Sequence, residues 1–354
     1  MSLKTRLGLR RRLASGERTA CHTPRPLVSR KPLKALVIIS RDLDKGSTRY
    51  RIVQYAGWLR ARNFELEFVH RRDVTARRVA DCDVVFNQKC LPGTFPSRRL
   101  LQAARRVVFD FDDAIFTRPG TPFSWWTQWR VNRRFRLWVR GADVVTAANQ
   151  VLADAARRLK VEPVVLPMAL DPAVWKPAPR RDDGTVRIGW AGAPANLPQI
   201  ERLEPVLAAV LQQHPSARLA ILSGRAPRWS LPCEHHPYQP ERETPFVQSL
   251  DIGLLPLVED AFTRGKSPIK SLQYLACGVP VVGNVFGATR EILQPSHCLP
   301  VATDADWIPA LASLIRSSDQ RAALSNAGRH FVLAHHDMNR VGETLLAALA
   351  GPGG

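Results

Sequence analysis

Short apolar runs alternate with helical patterns along most of the chain. Strands buried in a parallel sheet are continuous apolar runs of about four to eight residues, whereas helices repeat apolar residues three or four apart. This alternation begins near residue 33 and favours a doubly wound parallel sheet. The predicted strands of the first half are Leu33–Ser40, Phe64–His70, Asp83–Asn87, Arg106–Phe111, Asp143–Thr146 and Val164–Pro167, with a helix at Gln150–Leu159.

A second series of the same kind follows a segment rich in proline and charge, Asp171–Gly184, which is typical of an interdomain linker. Its predicted strands are Val186–Trp190, Ala217–Leu222, Asp251–Leu257 and Val279–Val282. Its predicted helices are Leu197–Gln213, Thr244–Leu250, Ile269–Ala276, Asp304–Ser317, Gln320–His330 and Met338–Ala350. The predicted fold class is therefore α/β, with two Rossmann-like, doubly wound domains.

The length of 354 residues also favours two cores. We divide the chain into a basic, disordered arm (1–32), an N-terminal domain (33–170), a linker (171–184), a C-terminal domain (185–336) and a last helix (337–354). No apolar run approaches the ~18 residues of a membrane helix, and the basic N-terminus lacks the apolar core of a secretory signal. The six cysteines show no metal-ligand spacing, which predicts reduced thiols and a cytoplasmic protein.

The segment from Asp251 to Gly287 carries the most chemistry. Ser267 is a predicted N-cap and Pro268 a predicted first helical residue, so the helix that follows directs free N–H groups and its positive dipole end at one place. The cations Arg264, Lys266 and Lys270 lie at the same place, which predicts an anion site. Gly278 is expected to end this helix in the left-handed conformation.

The same segment, D-x-G-L-x-P, a loop, and G-K-S-P-x-K-x-x-Q-Y-x-A-x-G-V-P-V-V, resembles the donor-binding segment of family 4 retaining glycosyltransferases with the GT-B fold. This resemblance implies two domains facing a cleft, with the last helix packing back on the N-terminal domain. It also implies transfer of a sugar from a nucleoside-diphosphate sugar, with retention, to a glycan or lipid-linked acceptor. It also implies polysaccharide or glycoconjugate synthesis without a bound metal. Lys270 and Lys266 would then neutralise the leaving diphosphate, and Arg264, Ser267 and Pro268 would help to bind the donor.

Two positions depart from the family pattern. Gln273 and Gly265 stand where the family carries the two carboxylates of a Glu-x7-Glu motif. Gln273 can still accept a hydrogen bond from a ribose hydroxyl, or it is a plain helix-surface residue. The missing carboxylates motivate an alternative of another class, an inactive GT-B protein that binds or scaffolds.

Further donor contacts are expected from two loops. Gly192 in the sequence WAGAPAN lets the backbone approach a ligand closely. Tyr238 precedes a helix at the position where similar enzymes recognise the base, so the resemblance implies a donor-binding role for it.

The acceptor is expected to meet the N-terminal domain. Gly46, Ser47, Arg49 and Arg51 begin a helix after the first strand and would bind a phosphate or an acidic acceptor, unless the arginines are a plain surface pair. Asp110, Asp112 and Asp113 end a strand, where parallel sheets place ligands. We expect Asp112 to orient the acceptor and Asp113 to take its proton; helix capping and Mg²⁺ binding are the alternatives.

The net charge of +20 is confined to the first half of the chain. Residues 1–170 hold 34 Lys and Arg against 14 Asp and Glu, whereas residues 171–354 hold 17 against 17. Such a surface favours a polyanionic partner, namely anionic lipid, an acidic or diphosphate-bearing acceptor, or nucleic acid, unless it serves solubility alone. We expect no nucleic acid, because the chain has no motif for it, but a nucleic-acid-binding protein is the second alternative.

One basic helix could reach a membrane. Ser124–Arg140 mixes four tryptophans with five arginines, and Val131, Phe135, Trp138 and Val139 form one apolar stripe. Amphipathic basic helices with aromatic residues lie in membrane interfaces; a core-packing helix with a basic outer face is the alternative. We therefore expect a cytoplasmic protein that is peripheral on the inner face of the membrane.

Overall fold

A computed structural model describes residues 31–40, 42–44, 46–179 and 183–351. The basic arm predicted for residues 1–32 lies, apart from its last two residues, outside this range. Within it the chain forms two parallel six-stranded sheets, each flanked by helices. This confirms the predicted α/β class with two doubly wound halves.

The first sheet has the strand order β2-β1-β3-β4-β5-β6. Its strands are β1 Leu33–Ile39, β2 Phe64–His70, β3 Val84–Gln88, β4 Val107–Phe111, β5 Val144–Ala147 and β6 Val164–Val165. Its helices are α1 Gly46–Arg51, α2 Ala56–Arg60, α3 Ala76–Ala80, α4 Thr94–Ala103, α5 Trp125–Gly141 and α6 Gln150–Arg157, with a 3₁₀ turn at Val53–Tyr55. The inner strands β1, β3 and β4 are mostly apolar and buried because helices cover both faces of the sheet, whereas the edge strands β2 and β6 are partly exposed.

The second sheet has the order β12-β11-β10-β7-β8-β9, the order of a dinucleotide-binding Rossmann sheet. Its strands are β7 Val186–Ala191, β8 Ala217–Ser223, β9 Glu234–Pro237, β10 Ile252–Leu255, β11 Val281–Asn284 and β12 Cys298–Val301. Its helices are α7 Leu197–Glu201, α8 Glu204–Gln213, α9 Pro240–Gln248, α10 Ile269–Ala276, α11 Trp307–Arg316 and α12 Ser318–His335. Turns of 3₁₀ helix lie at Pro194–Asn196, Thr263–Gly265, Gly287–Glu291 and Asp304–Asp306.

The last helix, α13 (Met338–Ala350), covers the first sheet rather than the second. Val341, Leu345 and Leu349 pack in one cluster with apolar residues of β1 and α2. The cluster is fixed by polar contacts: the Met338 N–H donates to the Leu170 carbonyl at 2.9 Å, and the Arg106 guanidinium donates to the Ala348 carbonyl at 3.0 Å. The end of the chain therefore ties the two halves together.

Some element boundaries differ from the prediction for local reasons. The helix predicted over Leu197–Gln213 is two helices, because Pro205 has no N–H to donate and sits in the first turn of α8. The helix predicted from Thr244 begins at Pro240, so it includes Glu243. Strands β9 and β12 were not predicted; both lie at sheet edges, and β9 carries polar residues that lack an apolar run. No helix in the described ranges is long and apolar enough to cross a membrane.

Candidate active site

The carboxyl ends of the strands bring the predicted site residues to a cleft between the halves. In a doubly wound sheet, ligands bind where the strand order reverses. That point lies between β1 and β3 in the first sheet and between β7 and β10 in the second. The segments that follow these strands carry Arg49, Lys89, Gly192 and Lys266, so the sheet topology alone collects residues that lie far apart in sequence.

Lys270 and Arg49 meet on one carboxylate from opposite halves. Lys270, at the start of α10, donates to Glu243 Oε1 at 2.5 Å, and Arg49 of α1 donates to Glu243 Oε2. The Glu243 side chain is 4% exposed. Burial alone would raise the pKa of this carboxyl, but the charges of Lys270 and Arg49 lower it to about 2. The ionised carboxylate of Glu243 therefore lies where the sequence predicts a phosphate. Glu243 was not predicted as a site residue.

Two further side chains join this cluster. Gln273 Nε2 donates to the Tyr50 hydroxyl at 2.6 Å, and Arg49 also contacts that hydroxyl. Gln273 is fully buried, so the helix-surface interpretation of it is wrong. Among the described residues its Oε1 atom is buried without a hydrogen-bond partner, so this acceptor is unsatisfied in the cluster.

Tyr238, the predicted base-recognition residue, lies beside Arg49 at the end of β9 and is 39% exposed. Burial and the nearby charge of Glu243 raise its pKa, while Arg49 opposes that shift. Its exposed ring is free to contact a ligand on the open side of the cluster.

The loop before α10 packs against the N-terminal half. Asn149 Nδ2 donates to the Gly265 carbonyl at 3.1 Å and to Ser267 Oγ at 2.9 Å. A Cβ atom built on Gly265 would lie 2.8 Å from Leu152 Cδ2. A side chain at the position of the first family carboxylate would therefore have to displace the buried Leu152 side chain, and the loop is held by Asn149 instead.

The start of α10 differs from the prediction. The helix begins at Ile269, Pro268 is its N-cap, and no side chain caps it. Ser267 is therefore not the N-cap: its hydroxyl accepts from Asn149, and with Pro268 it lines a cavity of about 460 Å³ between the halves. The restricted backbone of a residue before proline explains why Ser267 stays outside the helix. Gly278 has φ +70°, so the predicted left-handed end of the helix is confirmed.

Lys266 and Arg264 lie in contrasting surroundings. Burial lowers the pKa of Lys266, and the charges of Asp113 and Asp260 only partly oppose this. In the described part of the chain, no carboxylate lies within ion-pair distance of the Lys266 ammonium. Arg264 is exposed, and its Nε lies 2.6 Å from Glu259 Oε1. Lys266 is therefore available to an anion in the cleft, whereas the structure turns Arg264 towards solvent and gives no support to its donor role.

In the first half, Lys89 organises the two aspartates. Its ammonium lies 2.9 Å from Asp112 Oδ1 and 2.6 Å from Asp113 Oδ2. Burial alone would raise the pKa of Asp112, but Lys89 and Arg51 lower it, and the Ser47 hydroxyl donates to the same carboxylate. Asp113 is the more exposed of the two carboxylates. Lys89 was not predicted; its φ of +48° at the end of β3 turns it back towards the aspartates.

Arg51 does not face the cleft, which corrects its predicted role in acceptor binding. The residue is 2% exposed, and its guanidinium forms a bidentate pair with Asp110, with Nε 3.1 Å from Oδ2. Thr146 Oγ1 donates to the same carboxylate at 2.7 Å. Asp110 and Arg51 thus join β4 to α1 inside the core, while Gly46 lies exposed at the first residue of α1.

Gly192 follows β7 at the centre of the second sheet. Its N–H donates to the Leu222 carbonyl at 3.0 Å, and a Cβ built on it would lie 2.4 Å from the Trp190 ring. The packing of Trp190 therefore requires a glycine at this position, whether or not a ligand lies against it.

Comparisons with known proteins agree on the architecture. Residues 202–347 match a family model described as glycosyl transferase-like. A search of curated proteins found no match. Among solved structures, Anabaena HepE in complex with UDP and glucose is 12% identical, with a TM-score of 0.66 over 89% of this chain and 98% of that one.

Two further structures give the same result. Sucrose-phosphate synthase from Thermosynechococcus elongatus is 12% identical, with a TM-score of 0.67 over 88% of this chain and 97% of that one. A glycosyltransferase from Rickettsia africae is 11% identical, with a TM-score of 0.68 over 90% and 98%. At such identities a likeness establishes the fold. The chain has the GT-B fold, and its C-terminal half is similar to a family of glycosyl transferase-like proteins.

Proposed function

We propose that this protein is a glycosyltransferase that moves a sugar from a nucleoside-diphosphate sugar to a glycan or lipid-linked acceptor, with retention of configuration. The observation that carries the proposal is the convergence of Lys270 and Arg49 on a single buried anion, Glu243. Because Lys270 and Arg49 come from opposite halves, both can contact one diphosphate only when the cleft is closed. The fold and the UDP bound in the HepE structure support a nucleotide sugar as the donor.

In the proposed reaction, Lys270 and Lys266 stabilise the negative charge that develops on the departing diphosphate. This stabilisation speeds the reaction because the charge is larger in the transition state than in the bound donor. Asp113, held by Lys89 at 2.6 Å, accepts the proton of the acceptor hydroxyl as the new bond forms. The proposal assigns charge neutralisation to these protein cations and includes no metal ion.

The second candidate is an inactive GT-B protein that binds a nucleotide sugar without turning it over. It is favoured by the absence of both family carboxylates: Gly265, which packs against Leu152, replaces one and Gln273 replaces the other. Both candidates bind the donor, so turnover separates them.

Thermal shift with UDP, GDP, ADP and their sugars tests the proposal first. A ligand at 100 times its Kd raises the free energy of unfolding by about 2.7 kcal/mol, which appears as a higher Tm. The nucleotide sugar that binds is then assayed for transfer and hydrolysis. Binding with release of the nucleoside diphosphate supports the enzyme, and binding without it supports the scaffold. If none of the nucleotides or their sugars raises the Tm, both candidate functions are wrong.

A further inference from the structure

Helix α5 exposes an aromatic cluster that packing leaves unused. Phe135, Trp138 and Val139 of this helix are buried in the core of the first half. At its other end, Trp125, Trp126 and Trp129 are 79%, 50% and 48% exposed. We define these three residues as the tryptophan cluster. Indole rings exposed in such number have no role in the fold, so they indicate a contact outside it.

Arginines surround the tryptophan cluster. Trp126, Trp129, Arg133, Arg136 and Arg140 follow one another at three or four residues and therefore lie on one face of the helix. From Ala114 to Ala142 the chain has six arginines and no aspartate or glutamate. Among the described residues no carboxylate pairs with the guanidinium groups of α5. The positive charge of this face is therefore left for an external anion.

The neighbouring helix extends the same surface. Trp138 Nε1 donates to Ser97 Oγ of α4 at 3.0 Å, and both helices pack on the same face of the first sheet, so their outer sides face the same way. The outer side of α4 carries Phe95, which is 70% exposed, followed by Arg98 and Arg99. Phe95 and Arg99 line a groove of about 580 Å³ together with Arg71 and Arg72.

We propose that the outer surface of α4 and α5 docks on an anionic lipid bilayer. Tryptophan and arginine suit this partner, because indole rings favour the water–lipid interface and guanidinium groups pair with lipid phosphates. A single-stranded nucleic acid fits less well, since base stacking needs a free ring face. Trp126 and Trp129 already stack on each other at 5.0 Å, and Arg133 lies over the Trp129 ring.

The docking surface lies next to the acceptor side of the cleft. The loop from Asp113 to α5 is held by Gln128, which donates to the Phe116 carbonyl at 2.7 Å. The same loop reaches the second half, where the Gly120 N–H donates to Asp260 at 2.9 Å. A docked protein would hold Asp113 near the bilayer, so the acceptor would be a lipid. This last step rests on the proposed function, whereas docking itself does not.

The test uses the full chain with vesicles of phosphatidylcholine alone or mixed with phosphatidylglycerol, without nucleotide sugar. We expect binding to the mixed vesicles only, and weaker binding as NaCl is raised. Each basic residue near anionic lipid contributes about 1 kcal/mol to binding. Replacing Arg130, Arg133 and Arg136 by Gln should therefore lower the partition coefficient of the protein onto the mixed vesicles on the order of 100-fold. The control replaces three exposed arginines of the other half, Arg228, Arg242 and Arg316, by Gln and should change it little.

Brominated phosphatidylglycerol reports the tryptophans themselves. It should quench the fluorescence of the wild-type chain, and the variant with Trp125, Trp126 and Trp129 changed to Ala should lose that quenching while keeping its Tm, since the removed rings are exposed. Vesicle binding without quenching would assign the contact to another basic segment and overturn the proposal. Binding to an oligonucleotide but to neither vesicle would also overturn it. Nucleotide-sugar binding by the triple tryptophan variant, measured without vesicles, keeps a failure of docking distinct from a failure of the proposed function.

Discussion

Lys270 Nζ lies 2.5 Å from Glu243 Oε1, so the lysine expected to bind a phosphate is held by a carboxylate of its own domain. The other oxygen of Glu243 accepts from Arg49 of the opposite half. Glu243 therefore neutralises the cations of the closed cleft and links the halves. A donor diphosphate that enters this position has to compete with Glu243 for Lys270.

Replacing Glu243 by Gln should strengthen nucleotide binding. Removal of the charge frees Lys270 and Arg49 for the diphosphate, and a charge-assisted hydrogen bond is worth about 1.5–3 kcal/mol, so we expect the Kd of the nucleoside diphosphate to fall at least about tenfold. Isothermal calorimetry measures it. Glu259→Gln, which removes the partner of the exposed Arg264, is the matched control and should leave the Kd unchanged. Weaker binding in Glu243→Gln would mean that this carboxylate orients Lys270 rather than competing for it.

Replacing Lys270 by Ala should slow transfer. The loss of one fixed cation at the leaving group is expected to cost about 2–4 kcal/mol of transition-state stabilisation, seen as a fall in kcat/KM of roughly 30- to 1000-fold. Because the change also leaves Glu243 short of a partner, the double variant Lys270→Ala, Glu243→Gln separates charge loss from misfolding. Arg264→Ala should keep nearly full activity. A wild-type rate in either Lys270 variant would remove this residue from the mechanism.

Replacing Asp113 by Asn should lower kcat without changing donor affinity. If Asp113 takes the acceptor proton, the loss is about 10²- to 10⁴-fold. Donor Kd and kcat are measured separately, and Asp81→Asn, an exposed aspartate of the same half, serves as the control. A fall in donor affinity with kcat preserved would place Asp113 in donor binding instead.

The fold was predictable because it is specified by local patterns. Strand β2, Phe64–His70, and helix α10, Ile269–Ala276, have the predicted bounds. The alternation of apolar and polar residues in β2 and the helical spacing in α10 are local patterns that do not depend on distant residues. The lysines of the donor loop were found for the same reason: they lie beside a predicted helix start. Two edge strands escaped: β9 lacks an apolar run, and β12 is only four residues long and contains Pro300.

The partners of the site residues were not predictable. Arg49 and Glu243 are 194 positions apart, and nothing in either segment shows that they pair. Arg51 was expected in the cleft because it lies in the helix start that follows the first strand; its buried partner Asp110 comes from a strand 59 positions away. Lys89 could have been noticed as a charge directly after a buried strand, the place where such sheets bind ligands.

Gly265 should resist substitution for steric reasons alone. Gly265→Ala places a Cβ 2.8 Å from Leu152 Cδ2 and 3.2 Å from Ala114 Cβ, and overpacking of this kind costs about 1–3 kcal/mol of unfolding free energy. Urea denaturation measures it. Gly57→Ala, in α2 with nothing within 4 Å of the new Cβ, is the control and should be neutral or stabilising. Equal stability of the two variants would show that the loop before α10 is not packed as closely as the contact requires.

His336 should make the protein less stable as the pH falls from 6.5 towards 4. Burial lowers its pKa to about 4, and its Nδ1–H donates to the Met168 carbonyl at 2.7 Å where the chain crosses back to the first half. The unfolded chain takes up a proton near pH 6.5, whereas the folded protein does not until about pH 4, so protonation favours unfolding throughout this interval, by at most about 3 kcal/mol. Urea unfolding between pH 4 and 8 should give a flatter profile for His336→Gln than for the wild type, while His335→Gln, an exposed neighbour, should follow the wild type. Identical profiles for wild type and His336→Gln would show that His336 is not held in its neutral form.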